Sequence, residues 1–361
     1  MNIILPGGEW IILKIYEKND AEDWDKCVKS FHNWDVYYLY AYAYSFMVHG
    51  DGDIYLIYFE YSDERFCYVV MQKDIATCDR FKGILPQGVY FDWETPYGYG
   101  GPLTDGHISD KTQQVFLDEI MQYCKRNNIV SQFVRFHPLL KNYDVLPGVI
   151  ETRYLRDTIF IDTSDFDTII KNMDTKNRNM VRKAQKNNVS IICKDISTFQ
   201  DFVLMYEETM KKNGADIYYS FNQYYYEALC NMKENAMILY ALYDNNPISG
   251  SIILFNDRYM HYHLSGSYAQ YRKYSPNNLL LYKAACLACE KGIKQFHLGG
   301  GMNPDDSLFG FKKQFNKNGR AAYVVGRTIF DDGLYRKLLG IRKKADSEFD
   351  MNNNYMIQYR R

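Results

Sequence analysis

The segment HLGGGMNPDDSLFGFKKQF, residues 297–315, has the residue types and spacing best suited to chemistry. The apolar run before it predicts a strand over 294–298. That strand ends in three consecutive glycines, 299–301, which let a ligand approach the backbone closely and permit unusual dihedral angles. Three glycines in a row cost chain entropy, so the pattern favours a loop that lies against a ligand.

Polar residues 305–307 follow the glycines and are typical of a helix start, and the pattern predicts a helix over 306–316. Phe311 and Lys312 lie about one turn into that helix. A lysine behind a glycine loop could stabilise negative charge on a bound substrate. The alternative is an ordinary lysine on a solvated helix face.

A second helix start is predicted at Ser275 and Pro276, with serine as N-cap and proline in the first turn. The free N–H groups of a helix N-terminus can bind an anion such as a pyrophosphate or a carboxylate. Arg272 and Lys273 come just before it. The alternative is a capped core helix with two surface cations.

The net charge hides an uneven distribution. The chain has 43 Lys and Arg against 44 Asp and Glu, a formal charge of -1, which excludes a basic field over the whole protein. Basic residues are nevertheless concentrated in 171–186, within a predicted helix over 165–186, and in 312–344. Such patches can hold phosphates. Two solvated helix faces are the alternative.

The elements that must position these residues alternate along the chain. Apolar runs that predict strands are interspersed with helical periodicity, which indicates an α/β or α+β fold. With 361 residues the chain is long enough for two domains. A weak repeat supports this: PYGYGGPL at 96–103 and LSGS at 264–267 each precede a helix and then a strand. We predict domains over 1–150 and 151–330, followed by a basic helix and tail over 331–361.

The string LGGG…DSLFGFKKQF resembles the C-terminal signature of the FemABX-like peptidyl and aminoacyl transferases. Four more segments are similar to the same family, and the resemblance covers residues from about 90 to 330. These segments are PYGYGGPL, KNRNMVRKAQKNNVSI, MKKNGADIYYSFNQYYYEAL and the run from LSGSYAQYRKYSPNN to the triple glycine. Residues 1–80 match only loosely.

The resemblance implies two tandem GNAT-like domains, each a mixed, centrally splayed sheet flanked by helices. It also implies that an activated acyl donor lies where two parallel strands splay apart and that an acceptor amine attacks the acyl carbon. The expected donor is aminoacyl-tRNA and the expected acceptor a cell-envelope (peptidoglycan-type) precursor. The alternative is an acyl-CoA-dependent N-acetyltransferase acting on an amino sugar or similar small amine. Neither reaction implies a metal or a tightly bound cofactor.

The candidate site residues follow from these motifs and from the resemblance together. The catalytic candidates are Lys312 and Phe311, and the donor-binding candidates are Arg272, Ser275, Asn277, Asn278, Gly299, Gly300, Gly301 and Ser307. The substrate-binding candidates are Tyr97, Gly98, Tyr99, Gly100, Arg178, Arg182, Lys183, Asn213 and Tyr219. Packing or capping is the alternative role for each residue of the second group.

Departures from the family pattern bear on the donor. GNAT proteins that use acetyl-CoA usually carry a glycine-containing pyrophosphate loop where this chain reads YRKYSPNN, so the sequence weighs against coenzyme A. The long coiled-coil arm of larger family members is absent. The sequence contains no GxSxG, Walker or dinucleotide-binding motif.

Other readings of the sequence are weaker. His261 and His263 alternate along a strand and could bind a metal, but no third ligand stands out nearby. The Cys286–Cys289 pair fits helix packing better than a zinc or redox site. The N-terminal residues lack the basic start and cleavage pattern of a secretory signal, and no apolar run could span a membrane, so we expect a cytoplasmic protein.

A third hypothesis is a non-catalytic module. Leu334, Leu338 and Ile341 share one side of a predicted helix that is followed by Lys343 and Lys344, which would permit peripheral contact with the inner membrane surface. The alternative is a helix that packs on its own domain.

The 34 tyrosines suggest a groove for a long polar substrate, because many of them accompany the candidate site segments.

Overall fold

A computed structural model describes residues 2–4 and 10–361. The chain divides into two compact units: a first unit of residues up to 155 together with 323–361, and a second unit of residues 156–322. Both boundaries fall inside long strands. The assignment of a GNAT-like domain to each predicted range stays a prediction.

The strands are, in chain order, β1 (Asn2–Ile4), β2 (Trp10–Tyr16), β3 (Asp53–Tyr61), β4 (Glu64–Asp74), β5 (Phe91–Glu94), β6 (Leu103–Thr104), β7 (Ile129–Arg135), β8 (Glu151–Asp162), β9 (Ser190–Asp195), β10 (Ala236–Tyr243), β11 (Asn246–Phe255), β12 (Tyr259–Ser267), β13 (Gln295–Gly299) and β14 (Arg320–Ile329). The helices are α1 (Ala21–Lys29), α2 (Tyr40–His49), α3 (Asp110–Arg126), α4 (Phe166–Asn172), α5 (Thr175–Lys186), α6 (Gln200–Asn213), α7 (Gln223–Leu229), α8 (Pro276–Glu290), α9 (Ser307–Lys313) and α10 (Asp332–Ala345). The predicted α/β class is confirmed.

The sheet of the first unit has the order β1-β2-β3-β4-β5-β7-β14, with β6 beside β4. Its strands are antiparallel except for the parallel pair β5 and β7. Helix α3 is capped by Ser109, whose hydroxyl accepts from the N–H of Thr112. The helix buries Phe116, Ile120 and Cys124, which are four residues apart. This spacing places them on one face of the helix, so α3 packs against the sheet through a single apolar stripe.

Helix α10 also belongs to the first unit. Its residues Tyr335 and Leu338 are buried in a core cluster with Phe81, Val130 and Tyr359. The predicted helix is confirmed, but its apolar side packs inside the unit and is not open to a lipid surface. The apolar side named in the prediction is therefore used for packing, and peripheral contact with the inner membrane surface stays a prediction. None of the helices in the described ranges is long and apolar enough to cross a membrane.

The sheet of the second unit has the order β8-β13-β12-β11-β10-β9. Helix α8 is buried on most of its surface and forms one core with the sheet and with α4 and α5. Helix α6 packs on the opposite face, where a side chain at Gly266 would overlap the backbone of Tyr206. The single helix predicted over 165–186 is two helices, because the backbone is extended at Met173 between α4 and α5.

Candidate functional site

Strands β12 and β13 of the second unit separate partway along their length. They pair in parallel only from Tyr259 to His261, opposite Gln295 to His297. Beyond that point β12 stays with β11, whereas the end of β13 pairs with β8. Backbone groups on the facing edges of the two strands are therefore no longer used in a ladder between them. The opening is a place where an extended acyl chain could bind between strands.

An irregularity in β12 shapes one side of this opening. Tyr262 lies opposite Ile253 and Leu264 opposite Ile252, so His263 is an extra, bulged residue. The bulge brings Tyr262 and Ser265 onto the same face of the sheet. Burial raises the pKa of Tyr262, and the neighbouring hydroxyls of Ser265 and Ser251, which are 3.1 Å apart, oppose that shift. A short row of hydroxyls thus follows the separating strand.

The glycine loop lies at the end of β13. Gly299 adopts the left-handed region with φ of 73°, which reverses the chain out of the sheet. A side chain at Gly301 would overlap the carboxylate of Asp306 and would have to displace it. Asp306 is the N-cap of α9, and its Oδ1 accepts from the N–H of Phe309 at 2.8 Å. The predicted strand, glycine loop and helix are confirmed as β13, the loop and α9.

Lys312 is buried on α9, with only 7% of its surface exposed. Its Nζ donates to the carbonyl of Gly300 at 2.7 Å and lies 5.8 Å from the centre of the Tyr262 ring. The ammonium is therefore held between the end of β13 and the separated part of β12. Burial lowers the pKa of Lys312 to about 7; Asp306 opposes this shift and Arg156 adds to it. A lysine with this pKa can donate a proton near neutral pH.

Phe311, predicted beside the lysine, is partly buried and packs against the core, with its ring edge-on to Phe315 at 5.4 Å. Its role here is to anchor α9. Ser307 is the first residue of α9 and is exposed.

The start of α8 lies at Pro276, as predicted, but its cap differs from the prediction. Ser275 has a left-handed backbone with φ of 57°, and its side chain forms no cap hydrogen bond. Its hydroxyl contacts the sulfur of Met180 at 3.5 Å instead. Asn277 accepts from the hydroxyl of Ser249. The predicted donor residues at this helix start are therefore partly engaged in packing.

Residues 172–313 match the profile of the protein family described as an acetyltransferase (GNAT) domain. The matched range contains β9 to β13, the strand opening, the glycine loop and Lys312. This part of the chain is a GNAT domain. No curated protein sequence matches the chain.

Solved structures share the fold beyond the GNAT domain. FemX superposes with a TM-score of 0.66 at 15% identity, over 90% of this chain and 99% of FemX. The L-PGS of Bacillus licheniformis gives 0.56 at 11% identity, over 91% and 98%. The C-terminal domain of an Agrobacterium fabrum protein described as a lysylphosphatidylglycerol synthetase gives 0.54 at 10% identity, over 91% and 96%. The GNAT domain makes the chain an acyltransferase, and the superpositions show that the chain shares the fold of FemX.

The GNAT domain contains a buried polar residue that the sequence analysis missed. Asn177 of α5 is fully buried; its Oδ1 accepts from Asn278 at 2.7 Å, and its Nδ2 donates to the carbonyl of Gln314 at 3.5 Å. It therefore ties α5 to the start of α8 and to the end of α9. An asparagine inside a basic run gives no sequence signal for this role.

The second missed residue is Arg156 on β8, in the second unit just before the GNAT domain. Its Nη1 donates to the carbonyl of Met302 in the glycine loop, and it lowers the pKa of Lys312 through like charge. A cation within an otherwise strand-like run was the one signal in the sequence. Arg156 and Lys312 together place two positive charges along the glycine loop.

The predicted basic residues divide into two kinds. Arg178 bonds the carbonyls of Met173 and Ile170 and the hydroxyl of Thr175, so its guanidinium closes the end of α4 rather than lying open for a phosphate. Arg182 and Lys183 are exposed on α5. Arg272 is also exposed, and it precedes α8.

The acceptor-side candidates within the GNAT domain lie at its surface. Asn213 is the last residue of α6 and is exposed, and Tyr219 is partly buried with its ring 5.3 Å from that of Tyr218.

His263 shares a hydrogen bond of 2.7 Å with the hydroxyl of Tyr225, and burial together with His261 lowers the pKa of His263 to about 3. His263 is therefore neutral at physiological pH.

The Tyr97–Gly100 loop belongs to the first unit. Gly98 has φ of 93°, and a side chain there would meet Tyr42 and Tyr37 at 2.8 and 2.9 Å. The N–H of Gly100 donates to the carbonyl of Arg135 at 2.7 Å. The ring of Tyr99 contacts that of Tyr37 edge-on at 5.6 Å. The loop is thus a rigid, tyrosine-rich element rather than a loose connection, and a substrate role for it stays a prediction.

Proposed function

We propose that this acyltransferase moves an aminoacyl group from aminoacyl-tRNA to the amine of a cell-envelope precursor. The observation that carries the proposal is the Lys312 ammonium, held at the Gly300 carbonyl beside the opening between β12 and β13. A cation in a mostly water-free position stabilises negative charge far better than one in solvent. Its place beside the opening suits an ester carbonyl bound between the two strands.

The proposed reaction is aminolysis of the ester. The neutral acceptor amine attacks the acyl carbon, a C–N bond forms, and negative charge develops on the carbonyl oxygen. The C–O bond to the tRNA ribose then breaks, and the leaving ribose oxygen takes a proton from the Lys312 ammonium. The attacking nitrogen releases its extra proton to solvent, and Lys312 regains one from solvent, which its pKa of about 7 permits.

The start of α8 supports a tRNA donor over coenzyme A. Pro276 has no N–H, and the N–H groups of Asn278 and Leu279 point back to the carbonyl of Ser275 at 3.2 and 3.5 Å. Few N–H groups therefore remain for a diphosphate, which is the feature that a helix N-terminus usually offers. The exposed Arg182, Lys183 and Arg272 suit a long polyanion instead.

The comparisons support the acceptor class. The fold extends over nearly the whole of FemX and of two chains named for lysylphosphatidylglycerol synthesis or as L-PGS. Lysylphosphatidylglycerol is by its name a phospholipid that carries a lysyl group. We extend this class of acceptor, and not a particular molecule, to the present chain.

The second candidate is an acyl-CoA-dependent N-acetyltransferase acting on an amino sugar or similar small amine. The observation that favours it is the match of residues 172–313 to an acetyltransferase profile. Both reactions use the same strand opening and the same lysine, so they differ in the donor.

The experiment that separates them supplies both donors to the purified chain. Total tRNA charged with labelled amino acids and labelled acetyl-CoA are offered in parallel, each with a muramyl-pentapeptide nucleotide and, separately, with glucosamine. We expect label to move from tRNA to the pentapeptide amine. Product from the CoA thioester but never from charged tRNA would show that the donor assignment is wrong. Lys312→Met is the negative control.

A further inference from the structure

We propose that Asp306 is a positioning residue, whose carboxylate holds the glycine loop and the start of α9 together so that the Lys312 amine stays on the Gly300 carbonyl. The inference deepens the proposed function and rests on it for the role of Lys312. Asp306 itself is assigned no contact with substrate.

The two oxygens of the carboxylate are bonded to different parts of the chain. Oδ1 accepts from the N–H of Phe309 in the first turn of α9 at 2.8 Å. Oδ2 accepts from the N–H groups of Met302 at 2.7 Å and Asn303 at 3.0 Å, which belong to the loop. An ordinary N-cap needs only the helix bond. Here the same side chain also closes the loop on which Lys312 depends.

The neighbouring glycine shows how tightly the carboxylate is seated. A β-carbon at Gly301 would overlap Oδ1 of Asp306, and Cγ would be only 2.5 Å away. Gly301 does not have a positive φ, so the requirement for glycine here comes from the carboxylate and not from the backbone conformation. The position of the carboxylate therefore depends on the glycine at 301, and the loop conformation depends on the hydrogen bonds to Asp306.

The path from Asp306 to the amine is short. Lys312 is within two turns of the cap on the seven-residue helix α9, and its Nζ returns to the loop at Gly300. The loop, the cap and the lysine thus form a closed set of contacts. If the cap is removed, both ends of the Nζ–Gly300 hydrogen bond can move.

Asp306 also acts on the charge of the lysine. Three groups from different elements face the amine: Asp306 at the start of α9, Arg156 on β8 and the Tyr262 ring on β12. The carboxylate raises the pKa of Lys312, against burial and Arg156, which lower it. Its own pKa is held below the usual range by the backbone N–H groups that it accepts from, so it stays ionised.

The test uses Asp306→Asn, with Asp305→Asn as the matched control, because Asp305 is the exposed neighbouring carboxylate. The first readout needs no substrate: the pH dependence of reductive methylation at Lys312, followed by peptide mass spectrometry. We expect the midpoint to fall by about one pH unit in Asp306→Asn, because an opposite charge is removed. The control keeps the wild-type midpoint.

The second readout is the transfer reaction. We expect kcat of Asp306→Asn to fall by roughly tenfold to a hundredfold with little change in KM for the donor, because the lysine is misplaced while the donor site is kept. We also expect the pH optimum of the transfer rate of Asp306→Asn to lie at lower pH than that of wild type. A role in stability alone would lower the rate equally at every pH and leave the methylation midpoint where it is, which would overturn the proposal.

Gly301→Ala is the second variant, and it carries the test if Asp306→Asn does not fold. It keeps the charge but displaces the carboxylate from its present contacts, so the Lys312 midpoint should differ from that of the control. Gly310→Ala, where a β-carbon meets no neighbour, is its control. Midpoints and kcat equal to the controls in both variants would overturn the inference. Shifted midpoints in a chain that never transfers from tRNA would overturn the proposed function instead.

Discussion

Two cations in this chain, the buried Lys312 of the second unit and the partly buried Arg360 of the first, differ in how their charge is compensated. Arg360 donates to Asp92 at 3.0 Å and to Glu94 at 2.8 Å. Asp92 accepts further hydrogen bonds from Tyr359 and Ser131, at 2.6 and 2.7 Å. Lys312 donates to a single backbone carbonyl. The charge of Arg360 is thus matched within the structure, whereas that of Lys312 is balanced only in part.

The difference appears in the pKa values. The two carboxylates raise the pKa of Arg360, and Arg360 with Lys73 and Arg135 holds the pKa of Glu94 well below its usual range. Burial lowers the pKa of Lys312 to about 7. Removing one partner of a matched buried pair is strongly destabilising, whereas an unmatched buried charge is costly to the fold and such charges cluster at functional sites. The comparison therefore favours a structural role for Arg360 and agrees with the role proposed for Lys312 in the reaction.

The largest expected effect is the loss of transfer in Lys312→Met. We expect kcat to fall by about 10²–10⁴, the range for removal of a group that stabilises charge or donates a proton in the transition state. The same change should raise the free energy of unfolding at pH 7 by about 1–4 kcal/mol, because a poorly matched buried charge is replaced by an apolar side chain.

The control for this change is Lys313→Met, one residue further along α9. Single-turnover rates and urea unfolding on both variants measure the two effects separately. Undiminished transfer in Lys312→Met would contradict the catalytic assignment.

Arg360→Met should have the opposite effects to Lys312→Met: the stability should fall and the transfer rate should be kept. It leaves Asp92 and Glu94 buried with less compensation, so we expect a loss of about 2–4 kcal/mol in stability, somewhat under the ~3–5 of a fully buried pair because the arginine is partly exposed. Transfer per folded molecule should be unchanged. Arg361→Met, at the exposed next residue, is the control. Equal stability of the two variants in urea would show that the Arg360 cluster is not structural.

A pH series sharpens the same contrast. As pH rises through about 7, Lys312 loses its proton in the folded chain, so we expect the transfer rate to fall. An unfolded lysine keeps its proton until about pH 10.4, so the unfolded state binds more protons in between and the stability of wild type relative to Lys312→Met rises with pH.

For Glu94 stability also rises with pH, but at acidic pH, and there the ionised form is the one that stabilises the fold. Its folded pKa is lowered, so its contribution to stability is present above the pKa of the unfolded side chain and is lost as pH falls. Urea titrations of wild type and Lys312→Met at several pH values measure both pH dependences of stability, the one from Lys312 and the one from Glu94. A transfer rate that stays flat from pH 6 to pH 9 would be inconsistent with proton donation by Lys312.

The smallest expected effect concerns the exposed cations of α5. Arg182→Ala with Lys183→Ala should weaken donor binding at moderate salt and lower the slope of log K against log salt by about 0.7–0.9 for each phosphate that the variant no longer neutralises. Filter binding of charged tRNA over a salt series measures this slope. Arg178→Ala is expected to affect stability instead, because its guanidinium closes α4. An unchanged slope in the double variant would exclude α5 from the donor path.

Local patterns predicted the elements well where the signal is short-range. The glycines, the polar helix start and the Phe311–Lys312 pair predicted a strand, loop and helix that the structure contains as β13, the loop and α9. The start of α8 at Pro276 was also predictable from the sequence, since the preference for proline at the first helical position is local.

The roles of individual side chains were harder to predict from the sequence, because they depend on which residues pack against each side chain in the folded chain. Arg178 sits in a basic run typical of phosphate contact but bonds the end of α4, and Arg156, in a strand, reaches the glycine loop. The tyrosines behave in the same way. Tyr225 is fully buried and Tyr224 is 69% exposed, although they are adjacent in the tyrosine-rich segment MKKNGADIYYSFNQYYYEAL.

Short-range patterns were enough to establish the α/β class, the glycine loop and the family resemblance, because periodicity, caps and glycine preferences act over a few residues. Tertiary packing was needed to show that β12 and β13 part after three paired residues and that Lys312 is buried at the opening. It also placed α10 and Arg360 in the first unit. The physical reason is that burial and charge compensation depend on neighbours distant in sequence, and these set the pKa of each cation.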